Sequence, residues 1–287
     1  MGRIEEKFVA LKKEGKKAFI AYITAGDPDL RTTGMLIPAL ERAGVDIIEI
    51  GVPFSDPVAD GPIIQAASER ALKKGIKLDD IFKMIATVRK KSRLPIVLFG
   101  YYNPVLHYGN AAFAAAAGAS GVDGILVVDL PPEEADELRR YTDPAGLSFI
   151  TLIAPTTGLA RIRKMVGRAS GFLYYISVTG VTGTAKPVLE DIRNDVKNLR
   201  TITSLPTVVG FGISTPEQAA SIAALADGVV VGSALVKLIG ANGKSNELLP
   251  DIASFAAGIR QALDAAPLNQ ADFPVNGEKR SSGKKKS

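Results

Sequence analysis

The chain has 287 residues, 46% hydrophobic and 23% charged, the balance of a soluble globular protein long enough to bury a sizeable core. It has no cysteine and one histidine, His107, which excludes disulfides, thiolate metal sites and a His-rich metal cluster, and leaves a Ser-His-Asp triad only if His107 takes part. The net charge of +5 is concentrated in residues 278–287, where Lys279, Arg280, Lys284, Lys285 and Lys286 face only Glu278, so the rest of the chain offers no broad basic field for nucleic acid.

The start, Met1-Gly2-Arg3-Ile4-Glu5-Glu6-Lys7, has no apolar run before charge returns and does not read as a signal peptide. No stretch approaches a membrane span, so the expected location is the cytoplasm. From there, apolar runs at 18–24, 45–51, 95–101, 122–129, 147–153, 171–177, 206–211 and 227–232 read as strands. Helical patterns lie between and after them, at 30–43, 63–74, 79–91, 132–142, 159–168, 188–200, 215–225 and 249–264. The runs are continuously apolar rather than alternating, as in parallel strands covered on both faces. Eight such units spaced by roughly 25 residues predict a single-domain (β/α)8 TIM barrel over residues 1–265. Periodicity alone does not show closure, and a doubly wound open sheet is the alternative. Asp27-Pro28-Asp29, Pro131-Pro132-Glu133-Glu134 and Ser214-Thr215-Pro216-Glu217 follow strands and supply helix starts; Gly44, Gly75 and Gly118 are predicted helix stops. Residues 266–287 turn polar and lysine-rich, and read as a short disordered basic tail outside the barrel.

In a barrel of this kind the active site lies where the strands run out into their following loops. The polar residues collect there. Glu49 sits near the end of the second strand, and a carboxylate in a buried strand is costly unless paired, hydrogen-bonded or neutral. No Lys or Arg occurs within the eight runs, so a basic partner has to come from elsewhere; without one, burial raises the pKa of Glu49 toward that of a general acid or base. Asp60 follows in a proline-rich loop, either as a second carboxylate of the site or as a brace for backbone N–H groups. Gly210-Phe211-Gly212-Ile213-Ser214 and Gly232-Ser233 follow the seventh and eighth strands, where barrels commonly hold phosphate, although such glycines also serve tight turns. Residues 177–186 are rich in Gly, Ser and Thr and read as a closing lid or as a plain surface loop. These features describe a phosphate-binding barrel with carboxylate acid/base chemistry: an aldolase, an isomerase or a lyase.

Seven segments are more specific: Thr24-Ala25-Gly26-Asp27-Pro28, Glu49 through Pro62, Tyr101-Tyr102-Asn103-Pro104, Asp129-Leu130-Pro131, Gly180-Val181-Thr182-Gly183, Gly210 through Ser214, and Gly232-Ser233-Ala234. On these the chain closely resembles the tryptophan synthase alpha chain family over about residues 3–264. The resemblance implies retro-aldol cleavage of indole-3-glycerol phosphate to indole and glyceraldehyde 3-phosphate, in tryptophan biosynthesis. It implies Glu49 and Asp60 as the catalytic pair. Tyr22, Phe99 and Phe211 would flank the indole ring and Tyr175 line the site. Thr182 would meet Asp60 on lid closure, and Gly183, Phe211, Gly212, Ile213, Gly232 and Ser233 would hold the phosphate. It implies no metal and no cofactor in this chain. It further implies a partner, a pyridoxal-phosphate-dependent beta chain in an alpha2-beta2 heterotetramer, docked near Pro53, Asp56, Pro57, Asn103 and Asp129.

Overall fold

The computed structural model describes residues 1–177, 189–210, 212–243 and 245–266. Its strands are β1 (Ala18–Thr24), β2 (Ile47–Gly51), β3 (Ile96–Gly100), β4 (Gly124–Val127), β5 (Ser148–Phe149), β6 (Thr151–Ile153), β7 (Leu173–Ile176), β8 (Thr207–Gly210) and β9 (Gly228–Val231). All their pairings are parallel, in the order β5-β4-β3-β2-β1-β9-β8-β7-β6. The two ends of that order, β5 and β6, are halves of the single run predicted at 147–153, separated by Ile150. The N–H of Ile150 bonds the Ile125 carbonyl at 2.9 Å on the β4 side, while β6 pairs with β7 on the other. The wall thus passes from one neighbour to the next at Ile150, and the barrel closes. The open-sheet alternative falls away.

The helices are α1 (Arg3–Glu14), α2 (Leu30–Arg42), α3 (Pro62–Leu72), α4 (Leu78–Val88), α5 (Tyr102–Tyr108), α6 (Asn110–Ser120), α7 (Asp136–Thr142), α8 (Leu159–Val166), α9 (Leu189–Ile202), α10 (Pro216–Ala223), α11 (Ser233–Asn242) and α12 (Leu248–Ala265). Two predicted caps are built as expected. The Asp29 carboxylate accepts the Thr32 N–H at 2.7 Å to start α2. The Thr215 hydroxyl accepts the Gln218 N–H at 3.3 Å, with Pro216 in the first turn of α10. Residues 132–135 form turns rather than helix, so α7 starts four residues later than the pattern predicts. Gly118 is not a stop: it lies inside α6, which ends at Gly121, where φ is +91°.

Helix α1 was not among the predicted helices. Its Ile4, Phe8 and Leu11 recur at helical spacing and plug the bottom of the barrel. They join Ile20, Ile47, Val97, Leu126, Ile150, Phe172, Val208 and Val230 in an inner core of inward-facing strand residues. The alternate strand residues, among them Phe19, Ile48, Leu98, Val209 and Val229, face outward into a second core against the helices. Carboxylates fasten the strand starts at this end. Asp46 accepts the Phe19 N–H, Asp123 the Ile96 N–H and Asp227 the Thr207 N–H, at 2.8 to 2.9 Å. Arginines 260, 89 and 200 pair with these three acids in the same order.

Candidate active site

The register fixes what faces the mouth. Tyr22 on β1 pairs with Glu49 on β2, and Glu49 with Val97 on β3. These positions share the inner parity of Ile20 and Ile47, two residues earlier in each strand, so Tyr22 and Glu49 look into the barrel above its apolar plug. Phe99 and Tyr174 continue the layer on β3 and β7. Tyr22 and Phe99 meet edge to face, with ring centroids 5.3 Å apart. The wall makes room for these rings with glycine: a Cβ on Gly51 would lie 2.0 Å from the Tyr22 hydroxyl, and one on Gly210 would lie 2.3 Å from that of Tyr174.

Glu49 is fully buried. Neither of its carboxylate oxygens has a hydrogen-bond partner among the described residues. Burial alone lifts its pKa from 4.5 to about 8, so at neutral pH it holds a proton. The basic partner that would make Glu49 a structural ion pair is not found among the described residues.

Asp60 is half-buried in the loop between β2 and α3. Burial lifts its pKa from 3.8 to about 6, and the nearby Tyr101 hydroxyl works in the opposite direction. Its loop is held from several sides. The Asp60 N–H bonds the Pro57 carbonyl, the Gln65 amide donates to the Asp60 carbonyl at 2.8 Å, and the Ala59 N–H donates to the Tyr101 hydroxyl at 3.0 Å. Backbone and neighbours, Tyr101 among them, therefore brace the loop at and beside Asp60. Glu49 and Asp60 meet electrostatically at Tyr22: after its own burial, both carboxylates push the Tyr22 phenol pKa upward. Two acids thus flank one aromatic layer, one protonated and one largely ionised near pH 7.

The glycine loops open beside them, on adjacent strands. β8 ends at Gly210 and β9 continues into Gly232, the N-cap of α11. No side-chain cap bond closes that N-terminus among the described residues, and half-buried Ser233 occupies its first turn. Gly212 takes a positive φ of 37°, with open space where a Cβ would be. Ile213 is buried in the outer core, so only its backbone faces the loop. Thr182, Gly183 and Phe211 lie outside the described residues.

Tyr175 is not brought to the site. Its hydroxyl donates to Asp195 on α9, and its ring belongs to the outer core. Successive strand residues face opposite ways, so it is Tyr174 that looks inward. Its phenol pKa is pushed well up by burial and by Glu49. Sequence reasoning also gave no role to Tyr101, although it quoted the motif that contains it. Among the expected docking residues, Asp56, Asn103 and Asp129 are exposed, Pro57 is half-buried and Pro53 is buried. Asp129 accepts the Tyr102 N–H at 2.7 Å at the start of α5, the helix that carries Asn103. Val58 in the Asp60 loop is 87% exposed and Leu106 on α5 is 54% exposed, two of several exposed apolar side chains. Among the described residues no group of three or more His, Cys, Asp or Glu could hold a metal ion, and no helix is long and apolar enough to cross a membrane.

A closed parallel barrel with a buried glutamate in its mouth that has no hydrogen-bond partner among the described residues, beside a helix N-terminus without a side-chain cap, has the layout of a barrel enzyme of acid/base type. Residues 8–263 match the family profile described as tryptophan synthase alpha chain. The chain belongs to the tryptophan synthase alpha chain family. It is 52% identical over 263 residues to the tryptophan synthase alpha chain of Geobacter sulfurreducens, covering 92% of this chain and 99% of that one. It is 51% identical over 263 residues to that of Citrifermentans bemidjiense, covering 92% and 98%. The crystal structure of tryptophan synthase subunit alpha from Legionella pneumophila superposes with a TM-score of 0.86 at 41% identity, covering 92% of this chain and 99% of that one.

Proposed function

We propose that this chain is a carbon–carbon lyase that cleaves indole-3-glycerol phosphate to indole and glyceraldehyde 3-phosphate in tryptophan biosynthesis. The observation that carries the proposal is Glu49, a fully buried carboxyl without a partner among the described residues and protonated near pH 7. The bond to be broken joins indole C3 to the glycerol side chain. Glu49 gives its proton to C3, which places positive charge on the ring nitrogen and makes the ring an electron sink. As the C–C bond opens, its electrons return to the ring, and the glycerol hydroxyl becomes an aldehyde carbonyl by losing its proton to Glu49. The acid is thereby regenerated. Asp60, largely ionised at pH 7, accepts the indole N–H and stabilises the charge that develops there. Tyr22, Phe99 and Tyr174 flank the ring, and Gly212, Gly232 and Ser233 hold the phosphate at the α11 N-terminus.

In this reading the chain itself uses no cofactor and no metal, works in the cytoplasm, and releases indole to a beta chain that carries pyridoxal phosphate. The exposed Asp56, Val58, Asn103, Leu106 and Asp129 form its docking face in an alpha2-beta2 heterotetramer, with Pro57 beside them. Indole release from indole-3-glycerol phosphate, measured for the chain alone and mixed with a tryptophan synthase beta chain, tests the activity. Glu49→Gln should abolish release while still binding glyceraldehyde 3-phosphate. Gel filtration of the mixture tests the partner. Absence of indole from the wild-type chain under both conditions refutes the lyase reading.

A further inference from the structure

Tyr101 is a buried tyrosine, 3% exposed, at the end of β3, and its hydroxyl reaches across to the loop after β2. The phenol oxygen accepts the Ala59 N–H at 3.0 Å, and the phenol lies close enough to the neighbouring Asp60 carboxylate to lower its pKa. One hydroxyl thus holds the loop at the residue before Asp60 and interacts with the Asp60 carboxylate beside it. The phenol remains protonated at any working pH, because burial and Asp60 both push its pKa up. The ring is fixed as well. Phe54, from the start of the same loop, lies against it with centroids 5.2 Å apart. Val52, Pro104 and Val105 line a small apolar cavity with it. The next residue, Tyr102, has its N–H pinned by Asp129. A loop of this length with one carboxylate at its end would otherwise sample several positions.

We propose that Tyr101 is a positioning residue for the cleavage: by holding the Ala59 N–H with its hydroxyl and Phe54 with its ring, it fixes the loop so that the Asp60 carboxylate faces the indole N–H. The proposal rests on the lyase reading above. Tyr101 touches neither bond that breaks, so its effect passes through Asp60. A misplaced catalytic group costs turnover more than ground-state binding, and the phosphate end of the substrate is held elsewhere.

The test is a double-mutant cycle on indole release in the presence of a beta chain, with Tyr101→Phe, Asp60→Asn and the double variant. Tyr101→Phe should lower kcat by about tenfold with KM within about twofold, and should add no further loss in the Asp60→Asn background. A merely structural role would not produce that non-additivity. If the phenylalanine chain does not fold, Tyr101→Gln is read through the same cycle. Full activity of Tyr101→Phe beside an impaired Asp60→Asn overturns the proposal and leaves the lyase reading standing. Losses that multiply in the double variant also overturn it, because Tyr101 then acts apart from Asp60. A wild-type chain that releases no indole overturns both.

Discussion

Tyr174 and Tyr175 are consecutive in β7, and their rings lie on opposite sides of the barrel wall. Tyr174 faces the mouth, close enough to Glu49 to feel its charge, while Tyr175 is tied to Asp195 on α9. Their substitutions should therefore separate activity from stability. Tyr175→Phe removes one hydrogen bond and should cost about 1 kcal/mol in urea unfolding, with indole release within about twofold of wild type. Tyr174→Leu removes part of the aromatic layer at the mouth and should lower kcat/KM by about tenfold. The reverse pattern would place the wrong ring at the substrate.

Glu49 links the site to the stability of the fold. Its folded pKa is raised, from 4.5 to about 8, so between those values the folded chain holds a proton that the unfolded chain has released. Stability therefore falls as pH rises from 4.5 to 8; below that window Glu49 costs nothing and above it the cost is complete. The full cost is on the order of 5 kcal/mol, which Glu49→Gln avoids. Urea unfolding at pH 5 and at pH 8.5 should show the advantage of Glu49→Gln over wild type growing with pH. A constant gap would mean that the carboxylate finds a partner or water when it ionises.

The barrel was legible because eight runs are apolar at nearly every position, which only strands covered on both faces require. Glu49 stood out for the same reason: one carboxylate interrupts such a run. The glycine loops could be placed because the strand count placed them. That same uniformity hid which ring faces inward. In Leu173-Tyr174-Tyr175-Ile176 both faces are apolar, so no alternation distinguishes the two tyrosines; the register with β6 and β8 does. Tyr101 was invisible as a partner of Asp60 because their contact joins a strand end to a loop some forty residues earlier. The break at Ile150 arises from barrel closure, which no local pattern encodes. Helix α1 was different: Ile4, Phe8 and Leu11 carried the helical period in the sequence, amid charge that drew attention to the terminus instead.

Ser233 tests the phosphate end. It sits in the first turn of α11, beside Gly232, where the backbone N–H groups have no side-chain cap among the described residues. In the proposed site, Ser233→Ala removes one hydroxyl donor to a phosphate that does not react. Substrate and transition state lose the same bond, so KM should rise by about tenfold while kcat changes by less than about twofold. Affinity for glyceraldehyde 3-phosphate, measured by calorimetry, should fall in parallel. A fall in kcat with unchanged KM would move Ser233 from phosphate binding to the chemical step.

Asp27 and Arg70 hold the frame on which the Asp60 loop hangs. The guanidinium donates two bonds to the carboxylate, Nε to Oδ1 at 2.8 Å and a terminal nitrogen to Oδ2 at 2.7 Å. Asp27 is 1% exposed in the turn after β1, and Arg70 lies on α3 and packs against Gly240 of α11. The pair therefore joins the strand that carries Tyr22, the helix that follows Asp60 and the helix that caps the phosphate loop. Asp27→Ala leaves the guanidinium without its carboxylate and should destabilise the chain; because Arg70 stays partly in water, the loss should be about 2 kcal/mol rather than the larger value of a fully buried pair. Arg70→Lys keeps the charge but cannot form the two parallel bonds, and should recover less than half of the loss seen in Arg70→Ala. Thermal unfolding of the three variants gives the comparison. Full recovery by lysine would show that charge alone, and not the fork geometry, fastens α3 to the barrel.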